Sequence, residues 1–313
     1  MTFNVVKLRP IWYTLSGLMI GLSIAFLSIW GLRQGIDFTG GSLLVARFEA
    51  RPATADIQQV LDKTISDLGT TVIQPAGDTD VQIRLKHIEE GDHQKIVTAL
   101  KDKFGKVTEL RFDAIGPVIG QELRQKAIQG LLIVLLAIMA YVAYVFRKVS
   151  TPVKSWKYGL ITIFTAFHDV IVPVGAFAFL GHFYHVEIGT AFVAAILTIL
   201  GYSITDTIVV FDRIRENMRN RRKDQTFDAL VNESILQTMR RSLNTSATTV
   251  MAILVLYLVG SESIKEFCLA LVVGITSGTY SSIFIASPVW AIWRNWEERR
   301  HQARLRPATA AGK

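Results

Sequence analysis

The sequence predicts an α-helical polytopic membrane protein of six transmembrane helices, with an α+β domain inserted between the first and second. Three observations carry this reading. Half of the 313 residues are hydrophobic and the mean hydropathy is +0.34, too apolar for one ordinary soluble domain of this length. Uncharged runs long enough to cross a ~30 Å hydrocarbon core recur along the chain. Between the first two of them, residues 33–126 turn polar and carry the periodicities of short strands and amphipathic helices.

The first span, Ile11–Gly31, is 21 residues without a charge. A secretory signal peptide would have an apolar core of ~7–15 residues and a small-residue cleavage site. This run instead ends in Trp30, Gly31, Leu32 and Arg33, which favours an uncleaved anchor that, with the short cytoplasmic N-terminus before it, makes up residues 1–32. Ala127–Phe146, Tyr158–Leu180 and Ile188–Phe211 are the second to fourth spans. The fifth ends near Gly260, and the sixth runs from about Phe267 to Trp293, with Trp290, Trp293 and Trp296 expected as an interfacial belt. Together these occupy residues 127–293, with a basic amphipathic loop at 212–242 and a tail at 294–313.

Residues 33–126 read as strand–helix–strand–strand–helix–strand: Ser42–Phe48, Thr54–Leu68, Thr71–Gln74, Val81–Leu85, Asp92–Phe104 and Val107–Phe112. That order fits a ferredoxin-like domain, an antiparallel sheet with two helices on one face. Its 13 basic and 14 acidic residues nearly cancel, which excludes a nucleic-acid footprint. His87 and His93 have no ligand spacing and are expected as solvated surface residues.

The net charge of +8 is a topology signal. With the N-terminus cytoplasmic, the cytoplasmic segments hold 20 of the 34 Lys and Arg residues, and the two short external turns hold only Lys265. The 33–126 domain is then external. His182 and His185 lie in one of those turns without further ligands, so an interfacial turn outweighs a metal site. The single cysteine, Cys268, excludes an intrachain disulfide. No phosphate-cradling loop, zinc motif or nucleophile motif is present, and no enzymatic activity or cofactor is expected.

The chemistry lies inside the membrane. Asp206 falls within the fourth span, where a carboxylate costs roughly 2.5–3.5 kcal/mol on insertion scales. It stands close enough to Asp212 to be read as a helix-end acid reaching for water, but two features argue against this. The apolar core of the fifth span is only about 15 residues long, short of the ~20 a span needs, so the helix draws in Gln237–Leu243. That carries Arg240 and Arg241 to the depth of Asp206 on an antiparallel neighbour. An Asp206–Arg241 pair that opens and closes is a proton-coupling device; a static structural pair is the competing reading. The second buried acid is Asp169, beside His168 near the middle of the third span. Histidine can relay a proton. Neighbours on a helix point about 100° apart, so these two are not expected to share one partner. Gly274-xxx-Gly278 in the sixth span, and more weakly Gly17-xxx-Gly21 in the first, offer close helix packing.

These residues resemble the SecD/SecF family of bacterial protein export, within the resistance–nodulation–division transporter superfamily, on its SecF side. Gly35-Ile36-Asp37-Phe38-Thr39-Gly40-Gly41 is similar to the family signature at the mouth of the external domain. Gly116–Leu123 is similar to its returning segment. Phe167-His168-Asp169-Val170, Gly201–Asn217 and Gln237–Ser246 match its third, fourth and fifth spans in order. Where the family usually has Asn before the fourth-span Asp, Thr205 stands here, with a hydroxyl able to donate to Asp206.

The resemblance implies half of a two-fold transporter core and a SecD partner. It implies work beside the Sec channel (SecY, SecE and SecG) in the bacterial inner membrane, on an unfolded translocating polypeptide, with protons as the coupling ion and Asp206 and Arg241 as the coupling pair. Two other classes compete: a half-transporter exporting a small molecule or lipid, and a passive assembly factor. The predicted topology has a direct check. Cysteines introduced at Asp78 and Lys223 should react with an impermeant thiol reagent from opposite sides of the membrane. Labelling of both from one side would end the six-span arrangement.

Overall fold

A computed structural model describes residues 4–145, 156–222 and 224–305, so most of the basic 147–157 connection, Lys223 and the end of the tail lie outside the described residues. The chain forms two compact units, one of Gln34–Gln129 and one of Met1–Arg33 with Gly130–Lys313.

The smaller unit is the expected ferredoxin-like domain. Strand β1 (Gly41–Phe48), helix α3 (Thr54–Thr64), β2 (Val72–Ala76), β3 (Asp80–Leu85), α4 (Glu90–Phe104) and β4 (Val107–Ile115) follow a short helix α2 (Ile36–Thr39). The sheet order is β2-β3-β1-β4, antiparallel throughout, with a bulge at Leu110 of β4, opposite Val45 and Ala46 of β1. Leu44, Ala46 and Phe48 line one face of β1 at period two, and meet Ile57 and Leu61 of α3 and Ile96 and Leu100 of α4 at helical spacing. Helix α3 ends at Thr64, short of the expected Leu68. Ile65 is already extended, and Leu68 accepts a hydrogen bond from the Lys86 amide at 3.1 Å, which turns its side chain into the core.

His93 is not a surface residue. It is 3% exposed, stacked on Phe112 with ring centroids 3.7 Å apart, and its two ring nitrogens lie 3.2 and 3.1 Å from the Glu90 and Glu109 carboxylates. With Ile96, Val97 and Leu100 it completes the buried face of α4, and the paired acids satisfy the nitrogens that burial would strand.

Glycine is required where the domain's two ends meet. Gly40 (φ +73°) and Gly41 (φ +129°) occupy backbone conformations that side chains disfavour. A Cβ on Gly40 would lie 2.7 Å from Pro117 Cα, one on Gly41 2.8 Å from the Leu85 carbonyl oxygen, and one on Gly120 2.8 Å from Gly40 N. The motif after the first span and the returning segment therefore touch backbone to backbone. Gly35 supplies the extended residue that opens α2, and Asp37 lies in its first turn.

Among the described residues, six helices are long and apolar enough to cross a membrane. They are α1 (Arg9–Trp30), α5 (Pro117–Val145), α6 (Trp156–Tyr184), α7 (Thr190–Arg219), α8 (Phe227–Val259) and a last span in which α9 (Glu262–Ser281) passes through a π-helical turn (Ser282–Ala286) into α10 (Ser287–Leu305). Helices α6, α7 and the last span are the buried ones; α1, α5 and α8 keep most of their apolar surface exposed.

The 212–242 segment is mostly helix rather than loop, because α7 continues to Arg219 and α8 starts at Phe227. Arg213–Glu216 and Asp212–Arg215 pairs at i,i+3 sustain α7 beyond its apolar run, and Asn217 bridges to Ser234 and Gln237 on α8. Trp290 is buried against Tyr158 and Phe227 rather than interfacial, because the extended starts of α6 and α8 cover it. Trp296 stays half exposed under the Arg300 guanidinium. His182 stacks on Trp30, and His185 Nδ1 lies 2.6 Å from Arg33.

Small residues set the helix approaches. A Cβ on Gly274 would lie 2.1 Å from Ile199, and one on Gly278 2.9 Å from Ser203, so both admit α7 against α9. Gly17 and Gly21 have nothing within 4 Å of a Cβ. The close approach of α1 is instead made at Gly175 of α6, where Ser23 fills the space.

The excised 34–129 unit should fold alone, giving mixed helix and sheet by circular dichroism and a cooperative melt. Within it Arg47 clamps Asp80 through two bonds of 2.7 and 2.8 Å, and the Arg47 hydrogen bond holds that carboxyl below the usual range. A depressed carboxyl stabilises the fold above its unfolded value, so the contribution is complete above about pH 4 and fades as the pH falls further. The melting temperature should drop over that acid range. Asp80→Asn should lower it at neutral pH and remove part of the acid dependence; an unchanged acid dependence would discount the clamp.

Candidate functional site

Helix α7 is the centre of the larger unit, packed against α6, α8 and α9. Its apolar run is interrupted by two polar pairs at i,i+4, each defining one face: Tyr202 with Asp206, and Ser203 with Thr207.

The first face meets α8. Asp206 Oδ1 accepts a short hydrogen bond from the Ser242 hydroxyl, and Oδ2 is buried without a hydrogen-bond partner among the described residues. Arg241 is exposed and makes no ion pair with the carboxyl among the described residues. The expected Asp206–Arg241 pair is therefore replaced by Asp206–Ser242. Neighbouring side chains leave a helix roughly 100° apart, so with Ser242 turned to α7, Arg241 is turned away. Thr205 does not supply the hydroxyl either: it bonds back to the Gly201 carbonyl at 2.9 Å, as threonine commonly does in a helix. One turn along, the Tyr202 hydroxyl stands 3.5 Å from Ser246 and Thr249, and Thr279 of α9 donates to Ser246 at 2.6 Å.

The second face meets α6 and the π-helical turn. Asp169 is 0% and His168 1% exposed. Ser203 donates to Asp169 Oδ2 at 2.5 Å, and His168 Nδ1 lies 3.2 Å from Asp169 Oδ1. Ser282, the first residue of the π turn, lies 3.0 Å from the Thr207 hydroxyl and within reach of the Ser203 and Gly278 carbonyls. The expected divergence of His168 and Asp169 holds at their Cβ atoms only. The imidazole folds back onto its neighbour's carboxylate while the ring lies beside Tyr280. π turns concentrate at functional sites, and here the turn brings a hydroxyl to the back of α7.

Sequence reasoning gave no hydrogen-bonding role to Ser203, Thr207, Ser242, Ser246 or Ser282. The available signal was their i,i+4 spacing, since Ser242/Ser246 and Gly278/Ser282 repeat the α7 pattern on the facing helices. The arrangement sets two carboxyl groups, the buried Asp169 of α6 and the part-buried Asp206 of α7, at different faces of α7, each held mainly by a hydroxyl. Asp206, with one bare oxygen, is open to proton exchange, and among the described residues no cluster of three or more His, Cys, Asp or Glu is placed to hold a metal ion.

Comparison with known proteins bears on both units. The family described as "Protein export membrane protein SecD/SecF, C-terminal" matches residues 95–296, and the SecD/SecF GG motif matches residues 26–50, which include Gly40 and Gly41. The protein translocase subunit SecF of Thermobaculum terrenum is 41% identical over 98% of this chain and 99% of its own length. That of Haemophilus influenzae is 37% identical over 90% and 83%. The crystal structure of SecDF, a translocon-associated membrane protein from Thermus thermophilus, superposes with a TM-score of 0.81 at 33% identity. It covers 94% of this chain, which spans 39% of the SecDF chain. With a GG motif whose glycines are sterically required and a helical unit shared along nearly its whole length, this chain belongs to the SecD/SecF family of protein export membrane proteins, on its SecF side.

Proposed function

We propose that the chain is the SecF half of a SecD–SecF pair that uses the proton motive force to assist Sec-dependent protein translocation. The observation that carries this reading is Asp206, a carboxyl inside a membrane-spanning helix with one hydroxyl partner and one bare oxygen. A static structural acid would be expected to have both oxygens satisfied. The relatives named as translocase subunits support the process, and the SecDF chain supports SecD as the partner, since this chain accounts for 39% of that one. In this reading the chain lies in the bacterial inner membrane with both termini cytoplasmic, beside SecY, SecE and SecG. The ferredoxin-like domain is external and holds the emerging polypeptide. The basic cytoplasmic segments support that orientation.

Asp206→Asn keeps the shape and the Ser242 hydrogen bond and removes only the titration. It should leave the protein inserted and SecD-bound but abolish the gradient-dependent part of translocation into inverted vesicles at fixed ATP. Arg241→Met should be as severe, and Arg241→Lys partly defective, because lysine keeps the charge and loses the planar fork. A wild-type gradient response in Asp206→Asn would replace this reading with a passive scaffold.

Asp169 has a built partner in Ser203, so its loss should be felt. Asp169→Asn preserves an acceptor for the Ser203 hydroxyl and should be well assembled. Asp169→Leu strands that hydroxyl, as well as removing the His168 contact, and should lower the yield of folded protein. Equal yields of the two variants would argue that the network is dispensable for folding.

A further inference from the structure

Where the chain leaves α1 it is tied to the turn between α6 and α7. The Ile188 amide donates to the Arg33 carbonyl at 2.8 Å. Gly181 leaves room for this approach: a Cβ there would lie 3.1 Å from the Val186 carbonyl oxygen and 3.3 Å from Arg33 Cβ. The Arg33 guanidinium then spans two partners in the turn. Its Nε lies 3.2 Å from Glu187 Oε1, and its Nη1 lies 2.6 Å from His185 Nδ1. His185 has φ +60°, the one left-handed non-glycine backbone among the described residues. Such strain persists only where neighbouring contacts hold it, and it gathers at switching segments.

A guanidinium has donors and no acceptor, so His185 Nδ1 accepts in this contact and the ring must be neutral. A proton on Nδ1 removes the acceptor and sets two cations against each other. Histidine changes charge between about pH 5 and 8. The other charged or titratable groups at this end are Glu187 and Tyr184 beside it, His182 on the last turn of α6, and Lys265 and Glu266 near the start of α9. A charge on His182 does not undo its stack on Trp30, because an indole face attracts cations. The last turn of α1 therefore stays on α6, and Glu187, 9% exposed, keeps its hold on Arg33. Only the His185 contact is lost.

We propose that Arg33 and His185 form a proton-operated latch, closed while His185 is neutral and opened when a proton from the external side binds Nδ1. The step is proton uptake from water, and nothing else is exchanged. The orientation proposed above supplies only the choice of compartment. Opening lets His185 leave its left-handed backbone and loosens the segment from which the chain enters the external domain, at the face where the gradient presents its protons.

Hydrogen exchange of residues 185–189, corrected for the intrinsic effect of pH, tests this in the full chain with its SecD partner in sealed right-side-out vesicles. Exchange should be slow at about pH 8 and roughly tenfold faster at about pH 5, the scale of one lost hydrogen bond to a charged group. His185→Asn tolerates the left-handed backbone, offers a carbonyl oxygen to Arg33 and does not titrate, so it should stay slow at both pH values. Arg33→Met should be fast at both. Wild-type exchange indifferent to pH, or a His185→Asn variant with the wild-type pH response, would overturn the latch. The response should follow the pH of the outer medium. A response to the inner pH would overturn the proposed orientation while leaving the latch in place.

Discussion

A polar group inside a membrane-spanning bundle has no water to fall back on and must be satisfied by its neighbours. The larger unit of this protein is arranged around that constraint, applied to two carboxyl groups. Asp169 and Asp206 lie on different faces of the environment of α7, and each is met chiefly by a hydroxyl, Ser203 in one case and Ser242 in the other. Hydroxyls require close helices, and close helices require small residues. Gly274 and Gly278 bring α9 against Ile199 and Ser203, and the π turn then delivers Ser282 to the Ser203 carbonyl and the Thr207 hydroxyl.

The two acids differ in how completely they are satisfied. Both oxygens of Asp169 have partners, from His168 and Ser203. Asp206 has a partner on one oxygen only. A carboxylate held at both oxygens fixes its surroundings, and one with a bare oxygen leaves a site where the charge state and the partner remain open to change. This contrast assigns different characters to the two sites: Asp169 holds α6 to α7, and Asp206 faces the helix that keeps most of its surface free.

Close backbone approach also governs the ferredoxin-like unit. Gly40, Gly41 and Gly120 bring its entry and exit segments together without side chains between them. His93, buried between Glu90 and Glu109, keeps both ring nitrogens satisfied inside the core.

Much of this was legible in the chain. Uncharged runs of about 20 residues locate spans whatever they pack against, because the hydrocarbon thickness sets their length. Period-two and period-3.6 patterns located the strands and helices of the small domain, because one face of each element is buried. Asp206, Asp169 and the glycine motif stood out because each is costly or permissive in a way that composition records. What the chain alone left open was direction. Helix ends past the apolar runs, as at Arg219 and Phe227, are sustained by side-chain pairs that hydropathy does not register. Gly17-xxx-Gly21 and Gly175 look alike as letters, and only packing shows that Ser23 meets Gly175. Arg241 and Ser242 sit at nearly the same depth, and the rotation of α8 about its axis decided which of them reached Asp206. That rotation is set by contacts from other helices, which no local pattern encodes.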